Sequence, residues 1–128
     1  MYTLDDLGKD CYKIASEILP RHVNCKITSK EILINNNIAN CSDSEGFRLR
    51  IILQDDTIRI THFYMYIERK GYGSAIMEKI LKYCKNNNIS KIYVRGANYK
   101  SQNFFINQYN FQIEEQKDEL ANLYLSIF

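Results

Sequence analysis

The chain opens on a helical period. Leu4, Leu7, Cys11, Ile14, Ala15, Ile18 and Leu19 recur at three- and four-residue steps, so one apolar stripe would face a core, with Thr3 placed to cap the first turn and Pro20 to end the helix. From Val23 onward the period shortens. Residues 25–28, 31–34, 47–53 and 58–67 are β-prone runs, and the turn-forming clusters at 35–37, 42–46 and 55–56 between them predict antiparallel strands. Along the fourth run, Phe63, Met65 and Ile67 alternate with His62, Tyr64 and Tyr66, giving one apolar and one semi-polar face. After Gly71 the helical period returns in Ala75, Ile76, Ile80, Leu81 and Cys84 and stops at Asn86-Asn87-Asn88. A buried-looking strand at 91–95, a short helix within about 99–109 and a cleanly alternating strand at 123–128 complete the chain. The charged run 114–119 reads most simply as a solvated turn.

This order predicts an α/β (α+β) fold: a mixed, mostly antiparallel sheet flanked and interrupted by helices. With 128 residues, 45% hydrophobic and 25% charged, the chain fits one globular domain, 1–128, with a core large enough to fold without staples. A net charge of +2 with no clustered basic stripe predicts no nucleic-acid partner. Cys11, Cys25, Cys41 and Cys84 form no Cys-x-x-Cys pair and have no histidines at ligand spacing, so they read as reduced thiols without a metal. The polar, acidic start and the absence of a long apolar run predict no secretory segment, no membrane partner and a cytoplasmic location.

The chemistry concentrates in Glu68-Arg69-Lys70-Gly71-Tyr72-Gly73-Ser74, a strand-to-helix turn. The first turn of a helix presents unpaired backbone N–H groups and the positive end of the helix dipole, which together suit a phosphate group. Side chains at positions 71 and 73 would hold phosphates away from that backbone, and Arg69 and Lys70 add charge at the rim. The dinucleotide fingerprint does not fit, because Ile76 stands at its third glycine, and no Gly-Lys-Ser/Thr follows to make a nucleotide-triphosphate loop.

What fits is (Gln/Arg)-x-x-Gly-x-(Gly/Ala) after an antiparallel strand. In this form residues 63–77 resemble motif A of the GNAT superfamily of acyl-CoA-dependent N-acyltransferases. Val94-Arg95-Gly96-Ala97-Asn98, then Phe104-Phe105 and Asn110-Phe111, resemble that family's next strand end and helix, in the correct order. The resemblance covers about 58–111. It implies acetyl-CoA as co-substrate, with the backbone of Thr61, His62 and Phe63 facing the pantetheine arm and acyl carbonyl. The amides of Arg69, Lys70, Gly71, Tyr72, Gly73 and Ser74 would hold the pyrophosphate, and Asn98 would contact the coenzyme. Four positions depart from the pattern: Glu68 where Gln or Arg is usual, Tyr93 where one branch has a glutamate base, Phe105 at the usual tyrosine acid, and Asn110 in place of glycine.

An amine acylation needs a neutral amine, a donor for the developing oxyanion and a proton for the leaving thiolate. Tyr109, one turn beyond Phe105, and Tyr93 are the two candidates for that proton, each with a plain packing alternative. His62 reads first as a structural or surface histidine. The implied activity is acetyl transfer from acetyl-CoA to an amine of a small molecule or protein. The alternative is a non-catalytic acyl-CoA-binding sensor or interaction module, and a homodimer stays open.

Overall fold

The computed structural model describes residues 1–18, 23–36, 47–65 and 71–127. Helix α1 (Leu4–Ile18) starts where Thr3 predicts. The Asp6 N–H donates to Thr3 Oγ1 at 3.1 Å and the Thr3 N–H donates to Asp6 Oδ2 at 3.0 Å, a reciprocal cap that satisfies two backbone donors at once. These bonds hold the Asp6 carboxyl below its ordinary pKa. Leu4, Leu7, Cys11 and Ala15 are buried, as the stripe requires.

Strands β1 (Asn24–Ile27), β2 (Glu31–Asn35), β3 (Phe47–Gln54) and β4 (Thr57–Met65) form an antiparallel meander. Asp55, at φ 55°, makes the tight turn between β3 and β4. Helix α2 (Tyr72–Asn86) then crosses to β5 (Lys91–Ala97), which runs parallel to β4. Helix α3 (Tyr99–Tyr109) leads to β6 (Gln112–Lys117) and β7 (Leu120–Ser126), giving a seven-stranded sheet in the order β1-β2-β3-β4-β5-β7-β6. The mixed, mostly antiparallel α/β architecture is the one the periodicity predicts. The solvated turn expected at 114–119 is corrected: most of it is edge strand β6, with the turn confined to Asp118 and Glu119. Every β6 residue is exposed, so burial imposes no alternation on it. The charges that look like turn material also protect a free sheet edge from pairing.

The buried strand residues, including Ile32, Ile34, Leu49, Ile51, Ile58, Ile60, Ile92, Val94 and Leu123, share one side of the sheet by their register. Gly8 lets α1 sit close over Ile27 and Ile32 there; a Cβ would come within 2.5 Å of the Ile27 side chain. On the opposite side Leu33, Arg50, Arg59, Tyr93 and Tyr124 are only half-buried. Arg50 pairs with Glu31 at 3.4 Å, and the Arg59 guanidinium lies 5.4 Å above the Tyr93 ring.

Candidate functional site

Two irregularities open the middle of the sheet. In β4 the register slips: Arg50 faces His62 but Ile51 faces Ile60, so Thr61 is an extra residue and the strand bulges. In β5 a second slip separates Val94 from Ala97, with Gly96 at φ 62° and its N–H donating to Asn122 Oδ1 at 2.9 Å. The parallel pairing of β4 with β5 runs only from Thr57↔Lys91 to Ile60↔Val94. Past that point the two strands have no ladder bonds to each other, and the facing backbone edges of 61–65 and 95–97 are open to a ligand.

A cavity of about 350 Å³ lies at this opening. Ile60, Phe63, Val94 and the buried Phe105 give it apolar walls, while Arg48, His62, Arg95 and Asn98 make it polar elsewhere. A second cavity, of about 400 Å³, adjoins it and shares Phe63, Tyr64, Asn98 and Ser101. Gly73 at the start of α2 lines one wall, and Phe104 and Gln108 of α3 line another. Phe63, Phe104, Phe105 and Phe111 form a cluster with centroids 5.0–5.7 Å apart, which fixes α3 against the sheet. Ser74 Oγ donates to Gln108 Oε1 at 3.2 Å and ties the two helices across the second cavity.

The start of α2 is open on its N-terminal side. Its N-cap is Gly71, left-handed at φ 76°, with no side chain capping the turn and nothing within 4 Å of where a Cβ would stand. The Ala75 N–H bonds to the Gly71 carbonyl at 3.0 Å, so the N–H groups before it lie at the helix's positive end.

Residues 54–111 match the acetyltransferase (GNAT) family. The match spans less than half of the chain, and the fold around it is that of the GNAT structures. Solved structures of similar fold include GCN5 from Tetrahymena (15% identity, 100% of this chain and 91% of that one, TM-score 0.53). The ribosomal-protein-S18-alanine N-acetyltransferase of Escherichia coli is also similar (11% identity, 96% and 88%, TM-score 0.52). The PaiA N-acetyltransferase of Thermoplasma acidophilum, solved in complex with coenzyme A, shares 12% identity over 75% of this chain and 59% of its own, with a TM-score of 0.52. Among curated proteins, the uncharacterized protein YxbD of Bacillus subtilis strain 168 is 27% identical over 81 residues, 55% of this chain and 51% of YxbD. The chain thus spans about half the length of the curated relative it matches.

The GNAT frame gathers Thr61, His62, Phe63, Gly73 and Asn98 around the two adjoining cavities, with Gly71, Tyr72 and Ser74 in the turn that enters the second one. Arg69 and Lys70, with Tyr66, Ile67 and Glu68, lie outside the described residues. Asn98 has a job of its own: its Oδ1 accepts the Ser101 N–H at 2.9 Å and caps α3. Asn110 takes the left-handed C-cap of α3 at φ 60°, a conformation asparagine tolerates better than most residues, so it stands in for glycine there.

Neither Tyr93 nor Tyr109 lines either of these two cavities. Tyr109 packs edge-on against Phe104, 5.4 Å between centroids, one layer behind the wall. Tyr93 lies opposite Tyr124 in the register and under Arg59, on the half-buried side of the sheet. Arg48 and Arg95 line the first cavity; Arg95 belongs to the strand end that carries the resemblance, but nothing in the linear pattern pairs it with Arg48. The β4 bulge did leave a trace: Ile58 and Ile60 are followed by Phe63 and Met65, a skipped beat in the alternation.

Among the described residues no three His, Cys, Asp or Glu side chains converge as a metal site, and no helix is long and apolar enough to cross a membrane. Cys11, Cys25 and Cys84 are free; burial pushes the Cys11 and Cys84 thiols up to about 12, which keeps them neutral.

Proposed function

We propose that the chain is a single-domain N-acetyltransferase that binds acetyl-CoA and an amine in the two adjoining cavities. The observation that carries this is the pairing of an α2 start without a side-chain cap with an open β4–β5 edge, joined past Phe63 and Phe104. The residues present fit the coenzyme. Backbone N–H groups from Gly71 to Ser74, with Arg69 and Lys70, would take the pyrophosphate; Phe63 and Phe104 would flank the arm; the open edge at 61–63 would take its amides.

Acetyl-CoA, when bound, supplies an acyl group on a thioester: the amine nitrogen gains the acyl, the sulfur is released and gains a proton. The chain's own contribution is mainly positioning, because holding two reactants in register removes much of the entropic barrier. Beyond Ile60, β4 has no β5 partner, so a main-chain N–H of 61–63 that faces the opening would serve developing negative charge. Phe105 is fully buried beneath the cavity and has no hydroxyl to offer, so the proton for the thiol comes from Tyr109, from Tyr93 or from water.

The test is calorimetric titration with coenzyme A, then thiol release from acetyl-CoA with a panel of amines. Binding with amine-dependent thiol release is the expected result. Tight binding without turnover on any amine would leave a coenzyme-binding module, and no binding would remove the reading altogether.

A further inference from the structure

The acceptor's chemistry is written on the rim of the first cavity, and the step to it rests on the acetyltransferase reading above. Arg48 on β3 and Arg95 in the β5 bulge both line this cavity, with His62 of the β4 bulge as the third basic side chain. Among the described residues, no Asp or Glu lines it. Two positions along β3, Arg50 has a counter-charge in Glu31, but no ion pair is formed by Arg48 or Arg95 among the described residues.

A cavity with this lining repels a plain ammonium group and favours a molecule that brings an anion of its own. Guanidinium groups match carboxylate geometry with two parallel N–H bonds, which fixes orientation as well as charge. At about 350 Å³, with the end of the coenzyme arm along the 61–63 edge, the remaining space suits only a small molecule. We infer that the acceptor is a small amine bearing a carboxylate, held through that carboxylate by Arg48 and Arg95.

The same charges bear on the nitrogen. A neighbouring cation disfavours the protonated amine, so an amine seated here loses its proton more easily. That reduces the demand for a protein carboxylate as base, in a cavity that presents none among the described residues.

The experiment compares matched pairs, an amino acid and the amine that lacks its carboxylate: tyrosine with tyramine, histidine with histamine, arginine with agmatine. The expected result is at least a tenfold higher kcat/KM for the carboxylate-bearing member of the accepted pair. Arg48→Gln and Arg95→Gln should each raise KM for that member and narrow the ratio within the pair, with coenzyme affinity held. Equal use of both members, preference for the bare amines, or arginine variants that lower coenzyme affinity and keep the ratio would overturn the assignment.

A binding arm runs without turnover, so that failure of the acetyltransferase reading is told apart. N-acetyl amino acids and the matching N-acetyl amines are titrated into the protein loaded with coenzyme A. Tighter binding of the carboxylates, lost in Arg48→Gln, supports the inference even if no amine is acetylated. Indifference to the carboxylate overturns it even if some amine is.

Discussion

Helices α2 and α3 begin on opposite sides of the same cavity, and they begin differently. Helix α3 is closed by its own sequence: Asn98 accepts the Ser101 N–H, and the Gln102 N–H bonds back to the Asn98 carbonyl at 2.8 Å. Helix α2 starts on Gly71, with no side chain to cap it and a left-handed backbone that keeps the approach clear. A helix that starts on glycine in place of a capping asparagine forgoes only a few tenths of a kcal/mol of stability. The protein tolerates that cost at α2 and avoids it at α3. On the proposed function, α2 is the turn that would receive the coenzyme and α3 is scaffold.

The largest effect is expected from Gly73→Asp, which places a carboxylate where the coenzyme phosphates would approach. Two like charges about 4 Å apart at an effective dielectric near 20 repel by roughly 4 kcal/mol, and solvent screening still leaves a loss of about a hundredfold in affinity. The fold should survive. A Cβ at 73 stands 3.3 Å from the edge of the Phe104 ring, a contact that a small ring shift relieves, and an acidic residue in a first helical turn is favoured by the dipole. Gly73→Ala is the control, with the same Cβ and no charge. Calorimetry with coenzyme A and a thermal melt check both halves; unchanged affinity in Gly73→Asp would falsify the phosphate role of α2.

A smaller effect is expected at Arg69 and Lys70. If the backbone of α2 dominates, replacing both by alanine should weaken coenzyme binding severalfold and flatten its salt dependence, as screened rim charges do. Titration at two ionic strengths reads this directly. Complete loss in the double variant, with binding retained in Gly73→Asp, would reverse the two roles.

Asn98 sharpens the contrast from the other side. As the α3 cap, Asn98→Ala should lower stability by about 1 kcal/mol and change coenzyme affinity by less than about threefold. A tenfold drop in affinity in a protein of unchanged melting temperature would instead make Asn98 a coenzyme contact first and a cap second.

The contrast between the helices was half legible in the sequence. Gly71 and Gly73 ahead of an amphipathic run suit an anion-binding turn because they leave the backbone clear, although glycine also serves a plain tight connection. Helix α3 lies within the predicted 99–109, and the sequence does not show that Asn98 caps it, since a capping asparagine and a binding asparagine are the same letter. Most strands were readable because one side of each is buried. Edge strand β6 was not, because no side of it is buried and its charges imitate a turn. The pairing of Arg48 with Arg95 is hidden from the sequence for a topological reason: they come from strands that adjoin β4 on either side, and only the assembled sheet with its two bulges brings them to one cavity.

The smallest effects should be at the two tyrosines. A true general acid replaced by phenylalanine costs on the order of a hundredfold in turnover. Tyr109 is held edge-on behind Phe104, and Tyr93 is sandwiched between Arg59 and its strand neighbours, so neither ring borders the space where a sulfur would sit. Tyr109→Phe and Tyr93→Phe should therefore each keep turnover within about threefold of the parent, the range expected when only a packing hydroxyl is removed. Coenzyme affinity is measured alongside, so that lost binding is not counted as lost chemistry. With both near parent values, water is the proton donor. A hundredfold fall in Tyr109→Phe at unchanged affinity would mean that α3 moves its end toward the cavity when the coenzyme binds, and α3 would cease to be mere scaffold.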